Sequence, residues 1–212
     1  MRTASAQTPP QAVQRSRAYL ATREEDAGRA PRAATPATAF RAALRMFVRE
    51  PRLDMGRLAA ELGIAKATLY RWTGGREQLI AEVLAYFSED GFDQALEQTK
   101  HLHGAPRVIT CIRQYMQTIV SFAPLRRFLQ NETPLALRIL TTRGGAPQTS
   151  AVRRIADVLE TEQQNGLQLR APVDLLAYAI TRIAEGFIYN EALADIDPDV
   201  DAAIEIIRLL IE

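Results

Sequence analysis

The sequence predicts an all-α protein. Three observations support this class: apolar residues recur three and four positions apart over most of the chain, prolines and glycines divide it into helix-length segments, and no useful stretch alternates apolar with polar residues as a half-buried strand does. The 212 residues are 47% hydrophobic and 24% charged, which is ordinary for a globular protein of one or two domains. We expect an N-terminal three-helix domain followed by a C-terminal helical bundle.

Residues 1–37 differ from the rest of the chain in composition. They are rich in Ala, Arg, Thr and Pro, and they contain six arginines against three acids. This composition favours a flexible basic extension, with one or two helical turns around Arg15–Glu25. The extension either follows the phosphates of a nucleic acid or is a passive tail, and the usual behaviour of chain termini favours the passive tail.

The next segment is expected to form three helices, the first of which begins at Thr38. A threonine side chain can accept a hydrogen bond from a free backbone N–H group of the first turn, so Thr38 is a suitable N-cap. Phe40, Leu44 and Phe47 then repeat at helical spacing and form one apolar face. Pro51 ends this helix, because the residue before a proline avoids the helical conformation.

The second and third helices are joined by a very short turn. Asp54 is a suitable N-cap for the second helix, and Gly63 ends it because glycine readily adopts the left-handed conformation. The small side chain of Ala59 allows the two helices to cross closely. The apolar residues predicted to hold this crossing together are Leu58, Leu62, Ile64 and Leu69.

The outward face of the third helix is the main functional signal in the sequence. The residues predicted to lie on it are Lys66, Ala67, Thr68, Tyr70, Arg71 and Trp72. A tight turn that holds such a helix clear of its domain is a helix-turn-helix, whose second helix enters the major groove of DNA. A purely structural hairpin is disfavoured, because burying Lys66 and Arg71 without partners would be costly.

Individual DNA contacts follow from the residue types on this face. Arg71 is the candidate for reading guanine, and Lys66 and Tyr70 are candidates for phosphate contacts. Arg76 opens the next helix and is expected to contact the flanking DNA backbone. Trp72 either seals the domain core or touches DNA, and the sequence gives both alternatives equal weight.

The remaining chain is predicted to be helical throughout. The expected helices run from 76 to about 100, from 106 until Pro124, and over 125–132, 133–143, 148–164, 172–194 and 198–211. The last two are apolar around much of their girth, so each needs neighbours on several sides. We therefore expect a homodimer in which these two helices of both chains form a four-helix interface.

The net charge of +1 conceals an uneven distribution of charge. The first 80 residues carry an excess of basic side chains, whereas residues 172–212 contain nine acids and two arginines. A basic N-terminal part and an acidic C-terminal part are typical of a chain that presents one end to a polyanion such as DNA.

A pocket for a small molecule is expected within the C-terminal bundle. One face of an otherwise apolar helix carries polar residues three and four positions apart, namely Tyr178, Arg182, Glu185 and Tyr189. The residues predicted to line the rest of the pocket are Cys111, Tyr115, Met116, Ile119, Phe122 and Phe128. Two alternatives stay open. Arg182 and Glu185 either orient a polar group of the ligand or pair to structure the dimer interface, and the other residues are otherwise plain core.

Few other functions are indicated. The sequence contains no Gly-Xaa-Ser-Xaa-Gly motif, phosphate loop, paired-carboxylate site or metal-ligand cluster, so we expect no enzymatic activity, no cofactor and no metal. Cys111 is the only cysteine, which fits a reducing compartment. No apolar run follows Arg2, and the most apolar segment is interrupted by Arg182 and Glu185, so neither export nor a membrane partner is expected. The expected location is the cytoplasm.

The stretch LAAELGIAKATLYRWTGGREQLIAEVL, which begins at Leu58, resembles the DNA-binding domain of the TetR family of one-component repressors. Together with the helix pattern, the resemblance implies a flexible extension at 1–37, a helix-turn-helix domain at 38–80 and a ligand-binding and dimerisation domain at 81–212. It also implies a homodimer on a palindromic operator in double-stranded DNA. A small, largely apolar effector bound among the C-terminal helices is expected to release the repressor.

The chain departs from the family pattern at three positions. Ala65 stands where Ser or Thr is common, Thr73 where Phe is common, and Asp54 where a phosphate-contacting Ser or Thr is common. A hydroxyl contact to phosphate is therefore not expected at Ala65 or Asp54. Further along, RFLQNETPLALRILTTR and RIAEGFIYNEALADIDPDV are similar to a QsdR-like subgroup, which implies a γ-lactone as the effector class.

Two other functional classes remain alternatives. One is an all-α enzyme or small-molecule-binding protein that uses the C-terminal pocket, and the other is a non-specific DNA binder. Binding to an operator should weaken steeply as salt rises, whereas an enzyme has no need to bind DNA. A non-specific binder would show the same salt dependence without a palindromic footprint.

Overall fold

The computed structural model describes residues 15–24, 34–50 and 52–212, and within these ranges the chain forms α-helices and no strand. The all-α prediction is therefore confirmed. The helices are α1 (Arg17–Glu24), α2 (Pro36–Arg49), α3 (Met55–Glu61), α4 (Lys66–Thr73), α5 (Arg76–Gln98), α6 (Gly104–Ser121), α7 (Ala123–Asn131), α8 (Thr133–Thr141), α9 (Ala146–Gln164), α10 (Val173–Ile188), α11 (Asn190–Ala194) and α12 (Val200–Ile211).

Helix α2 begins earlier than predicted. Its N-cap is Thr35, whose side chain accepts a hydrogen bond from the backbone N–H of Thr38 at 3.2 Å. The side chain of Thr38 in turn accepts one from the backbone N–H of Thr35 at 2.8 Å. This reciprocal pair, with Pro36 in the first turn, is a strong helix start. The prediction of Thr38 as the cap was wrong, because Thr38 occupies the third helical position of a capping box.

Helices α2, α3 and α4 pack around one small core. Phe40, Leu58 and Leu69 are completely buried there, as their helical spacing predicts. Asp54 is confirmed as the N-cap of α3, where it accepts hydrogen bonds from two backbone N–H groups at 2.7 and 2.9 Å. These two N–H groups are also the main reason that the pKa of Asp54 is lowered.

Helix α1 packs against α2 and α4, although it lies within the segment predicted as a flexible extension. Ala18 and Tyr19 are buried, and the Tyr19 ring meets Phe40 edge to face with ring centroids 5.4 Å apart. The Tyr19 hydroxyl also hydrogen-bonds to the carboxylate of Glu89 on α5, at 2.9 Å. The helical turns expected around Arg15–Glu25 are thus present and carry an apolar face. Most of the remaining extension lies outside the residues that the structure describes.

The long helix α5 connects the N-terminal helices to the C-terminal bundle. It packs against α2 and α4 and also against α6, α8 and α9. Helices α6, α9, α10 and α12 complete the bundle, and α7 links it to α2. The residues that are fully or almost fully buried through this bundle include Phe92, Ile112, Leu159 and Ile180.

The helix predicted over residues 172–194 is divided in two. Helix α10 ends at Ile188, because the backbone of Tyr189 has left helical geometry with a ψ of 15°. The five-residue α11 that follows contains no buried residue. Apolar spacing continues through Leu193, which is 58% exposed, so spacing alone gave no sign of the break.

Helices α10 and α12 expose large apolar side chains. Leu175 on α10 is 59% exposed, and Leu209 on α12 is 72% exposed. Tyr178 and Ile206 are also exposed on the same two helices. In a single chain these side chains leave an uncovered apolar surface. No helix among the described residues is both long and apolar enough to cross a membrane.

Candidate DNA interface and ligand cavity

The turn between α3 and α4 has the tight geometry that the sequence predicts. Gly63 adopts the left-handed conformation with a φ of 65°. The backbone N–H groups of Gly63 and Ile64 donate to the carbonyl oxygens of Ala60 and Ala59, each at 3.1 Å. Ala59 is 2% exposed, and its small side chain allows α3 and α4 to approach closely. The turn therefore fixes the direction of α4 relative to the domain core.

The outward face of α4 is largely open to solvent. Lys66, Ala67, Tyr70 and Arg71 are exposed, and Thr68 is half-buried. Within the described part of the chain, no ion pair or hydrogen bond engages the guanidinium of Arg71. Its donors are therefore available for a base edge or a phosphate.

Lys66 lies across the start of α3. A Cβ atom placed on Gly56 would come within 3.0 Å of both Cε and Nζ of Lys66. The ammonium group also contributes to the lowered pKa of Asp54, after the two backbone hydrogen bonds that dominate it. The positive charge of Lys66 thus sits beside the crossing of the two helices rather than extending freely from α4.

The end of α4 is shaped by a glycine and by Trp72. Gly74 has a φ of 72°, a backbone conformation that favours glycine. Trp72 is half-buried and packs against the hydrophobic core. Thr73 is fully buried and donates its hydroxyl hydrogen to the carbonyl of Leu69 at 2.9 Å, where a larger family residue is expected.

Arg76, the first residue of α5, is engaged in hydrogen bonds within the protein. Its Nε donates to the carbonyl oxygen of Leu53 at 2.7 Å. Its two terminal nitrogens donate to the carboxylate oxygens of Glu132, at 2.8 and 2.5 Å. The expected contact between Arg76 and the DNA backbone therefore needs correction. In this arrangement Arg76 joins the start of α5 to the loop before α3 and to the start of α8.

A small internal cavity of about 50 Å³ lies inside the C-terminal bundle, between α5, α6, α9 and α10. Its walls are mainly apolar, and Leu125 and Leu140 bring α7 and α8 to its edge. Four predicted ligand residues line it: Tyr115, Ile119, Phe122 and Glu185.

Several polar groups converge on this cavity. The hydroxyls of Ser88 and Tyr115 hydrogen-bond to each other with 2.6 Å between the oxygens. Burial raises the pKa of Tyr115 to about 12, so its hydroxyl stays protonated. Glu185 accepts a hydrogen bond from the amide of Gln148 at 3.3 Å. Burial raises the pKa of this carboxyl, and Arg182 and Gln148 oppose the shift only in part.

The other predicted ligand residues lie elsewhere. Cys111, Met116 and Phe128 are buried core residues that do not line the cavity, and burial raises the pKa of the Cys111 thiol to about 11. Tyr178 is exposed on the outer surface of α10, with the guanidinium of Arg143 5.7 Å from its ring centre. None of these four residues lines the cavity, which corrects the prediction that they face the pocket. Tyr178 lies about two turns before Glu185 on α10, and the other three pack in the hydrophobic core.

Arg182 and Glu185 form an ion pair that spans the wall of the cavity. The Glu185 carboxyl lines the cavity, whereas the Arg182 side chain is 44% exposed on the surface of α10. Arg182 donates to Glu185 at 2.6 Å and to the carbonyl oxygen of Thr141 at 3.2 Å. Glu185 therefore faces the cavity and Arg182 faces outward, and both alternatives from the sequence stay open.

Several cavity residues were missed in the sequence. Ser88, Gln148 and Thr181 line the cavity, and they come from three different helices. Each is a polar residue with apolar neighbours in a helical segment, and this pattern could have indicated a position on the cavity wall. Tyr189, which the sequence places on the same helical face as Glu185, also lines the cavity.

Helix α7 connects the cavity wall to α2. Phe122 and Leu125 line the cavity, and Phe128 on the same helix meets Phe47 of α2 edge to face, with 5.8 Å between ring centroids. Arg127 adds a hydrogen bond to the carbonyl oxygen of Val48 at 2.5 Å. A displacement of the cavity wall would therefore reach the helix that supports the α3–α4 pair.

Comparison with known families gives one match. Residues 103–212 match the family model described as Tetracyclin repressor-like, C-terminal domain. This region covers α6 to α12 and includes most of the cavity wall. No curated protein matches the chain significantly.

Several solved structures share the fold of this chain. The transcriptional repressor QsdR from the TetR family of R. erythropolis has 27% sequence identity and a TM-score of 0.77, over 82% of this chain and 93% of that chain. The TetR family repressor AlkX from Dietzia sp. strain DQ12-45-1b has 20% identity and a TM-score of 0.56, over 86% and 100% of the two chains. The fatty acid degradation regulator FadR from Bacillus halodurans has 13% identity and a TM-score of 0.53, over 84% and 97%.

Proposed function

Because the chain belongs to the TetR family of transcriptional regulators, we propose that it is a repressor that binds a palindromic operator as a homodimer and leaves it when a small effector occupies the C-terminal cavity. The observation that carries this proposal is the exposed basic face of α4, held by a buried three-helix core and joined through α5 and α7 to an internal cavity. Its site of action is the cytoplasm, where an operator is accessible.

The DNA-contacting surface of this proposal is the outward face of α4. Arg71 reads a guanine in the major groove, and Lys66 and Tyr70 contact phosphates on either side. Ala67 and Thr68 are small enough to approach base edges and thymine methyl groups. The exposure of these side chains supports the assignment. Trp72, which is half-buried, has a secondary role that positions the end of the helix against the DNA backbone.

The homodimer of this proposal forms through α10 and α12. Their exposed apolar residues, with Leu175 and Leu209 as the most exposed, need a cover that a second copy of the same surface would provide. A two-fold dimer presents its two α4 helices to half-sites roughly 34–36 Å apart, which requires a palindromic operator.

The effector in this proposal is small, largely apolar and uncharged. The cavity wall is mainly apolar, and its protonated Tyr115 and the Gln148 amide suit a carbonyl or ester oxygen. The carboxyl of Glu185 opposes an anionic ligand. The similarity to the QsdR repressor supports a γ-lactone as the first compound to test.

Release from DNA follows if the effector binds the non-operator arrangement more tightly than the operator arrangement. An effector larger than the 50 Å³ cavity must displace its walls. Displacement of α7 would shift α2 through the Phe47–Phe128 contact, and displacement of α5 would tilt α4 directly. Either motion changes the separation of the two recognition helices.

A footprint on the DNA upstream of the protein's own gene tests this function. The protein is used at near-physiological salt with excess non-specific competitor DNA, so that phosphate contacts alone give no protection. A protected palindrome supports a sequence-specific dimer. Binding without a defined footprint would identify a non-specific DNA binder, and absence of DNA binding at any salt concentration would refute the proposal.

A further inference from the structure

The internal cavity is too small for an effector on its own. Its volume is about 50 Å³, whereas one liquid water occupies about 30 Å³ and small-molecule sites usually offer about 300–1,000 Å³. A ligand of even ten heavy atoms or so must therefore extend beyond it. The neighbouring structure shows where additional volume lies.

A groove of about 260 Å³ adjoins the cavity on the side of α7 and α11. Cavity and groove share four residues, which form the wall between them: Ile119, Leu125, Ile188 and Tyr189. Together the two volumes approach the lower end of the range for small-molecule sites. The groove is more polar than the cavity and carries both signs of charge, from Arg126, Glu191 and Asp195.

Tyr189 is the polar member of this wall. Its side chain is mostly buried, but its hydroxyl oxygen keeps some contact with solvent and makes no hydrogen bond to any residue that the structure describes. Burial raises the pKa of Tyr189 well above its ordinary value, and the proximity of Tyr115 and Glu185 adds to the shift. The hydroxyl is therefore a protonated donor without a protein acceptor, beside the polar groups of the cavity.

Helix α11 offers little resistance to an opening of this wall. It begins directly after Tyr189, which ends α10, and it buries none of its own residues. Few buried apolar contacts oppose its displacement, so the segment belongs to the part of the fold that opens most easily.

We propose that the cavity and the groove are one elongated effector site, which the effector enters beneath α11 and in which Tyr189 donates a hydrogen bond to it. This inference rests on the proposed function and specifies its ligand class. The ligand is a neutral, elongated molecule with an apolar body in the cavity and a carbonyl-type acceptor at Tyr189. Its outer end lies in the groove, where Glu191 and Asp195 disfavour an anion.

Binding of Nile red tests this site without any operator. Nile red is an uncharged, elongated dye with one carbonyl acceptor, and its emission rises on transfer into an apolar site. The matched variants are Ala192→Trp and Ala194→Trp, since Ala192 lines the groove and Ala194 lies on the same short helix outside it. We expect Ala192→Trp to weaken binding by about tenfold or more and Ala194→Trp to change it by less than about twofold.

Tyr189→Phe tests the hydrogen bond separately. Loss of one hydrogen bond should weaken Nile red binding by about three- to tenfold, with unchanged helical content. If Ala192→Trp does not fold, Gln130→Trp fills the groove from the α7 side. Absence of saturable Nile red binding to the native protein, or equal binding by both tryptophan variants, overturns the elongated site. Unchanged binding by Tyr189→Phe overturns the role of the hydroxyl. The operator footprint does not depend on any of these dye-binding results, so it tests the proposed function separately from the elongated site.

Discussion

Arg76 and Glu132 are 56 residues apart in sequence, and their side chains form an ion pair with two hydrogen bonds of 2.8 and 2.5 Å. Arg76 also donates to the carbonyl oxygen of Leu53, in the loop before α3. The first residue of α5 is thus tied to the N-cap of α8 and to the DNA-contacting domain at once. Since α8 also borders the cavity through Leu140, this pair lies between the two proposed binding sites.

Arg76→Ala should lower the free energy of unfolding by about 2–3 kcal/mol, because it leaves the partly buried Glu132 without its main partner. Urea denaturation measures the change. Arg138→Ala is the matched control, since its pair with Glu77 is more than half exposed and should contribute less than about 1 kcal/mol. If the two substitutions lower the free energy of unfolding equally, the Arg76–Glu132 pair stabilises the fold no more than an exposed ion pair does.

Arg71→Ala should relax the preference for one base pair of the operator by about 1–3 kcal/mol. Lys66→Ala should weaken binding to all sequences alike and reduce the salt dependence by about one phosphate contact. Titration of operator variants at several salt concentrations separates the two effects. Normal base preference in Arg71→Ala would show that another residue reads the operator.

Tyr19→Ala should destabilise the protein by about 3 kcal/mol, because it removes a buried ring from Phe40 and a donor from Glu89. Thermal unfolding measures the loss. Leu20→Ala is the neighbouring control, since Leu20 is 49% exposed and should have little effect. A negligible effect of both substitutions would restore the view of residues 1–37 as a passive tail.

Leu209→Arg should convert the dimer to a monomer, because Leu209 is 72% exposed in the single chain and lies on the proposed interface. Sedimentation velocity reports the change, and operator binding should be lost with it. Leu193→Arg, on the exposed α11, is the control and should leave the dimer intact. A monomeric native protein, or a dimeric Leu209→Arg variant, would contradict the proposed interface.

Glu185 predicts a pH dependence of stability. Burial raises the pKa of its carboxyl in the folded state above the ordinary value of 4.5, so the folded protein binds this proton more tightly than the unfolded chain. Its contribution to stability is therefore fully present below the ordinary pKa and is lost as pH rises through the raised pKa. Urea denaturation at several pH values across this range should show that the free energy of unfolding falls less with rising pH in Glu185→Gln than in the native protein. If the variant and the native protein have the same pH profile of stability, the Glu185 carboxyl lies in a more polar environment than its burial indicates.

Local sequence patterns predicted the α3–α4 pair well. Asp54, Gly63 and Leu69 act through neighbours within one or two turns, so their roles follow from spacing. The prediction of where α2 starts was wrong because two threonines three residues apart both suit an N-cap. The choice of Thr35 depends on its reciprocal hydrogen bonds with Thr38.

Long-range relationships were not accessible from one sequence. Arg76 looked like a DNA contact because Glu132 lies far along the chain, and Tyr19 looked like part of a tail because its acceptor lies on α5. Tyr115, which the sequence places in a pocket, does line the cavity. Cys111 and Met116 do not line it, although each lies one turn from a lining residue of α6. Helical spacing alone therefore could not separate the cavity wall from the solid core.

Cys111 makes the native chain convenient for site-directed labelling. It is the only cysteine, it is fully buried, and its thiol pKa of about 11 leaves very little thiolate at neutral pH. Maleimide and methanethiosulfonate reagents should therefore not react with Cys111, so a cysteine-free variant is not needed. In the proposed homodimer, a single cysteine in place of Ala67 would carry a spin label on each α4 helix. The distance between the two labels would then report the separation of the helices, with and without an effector.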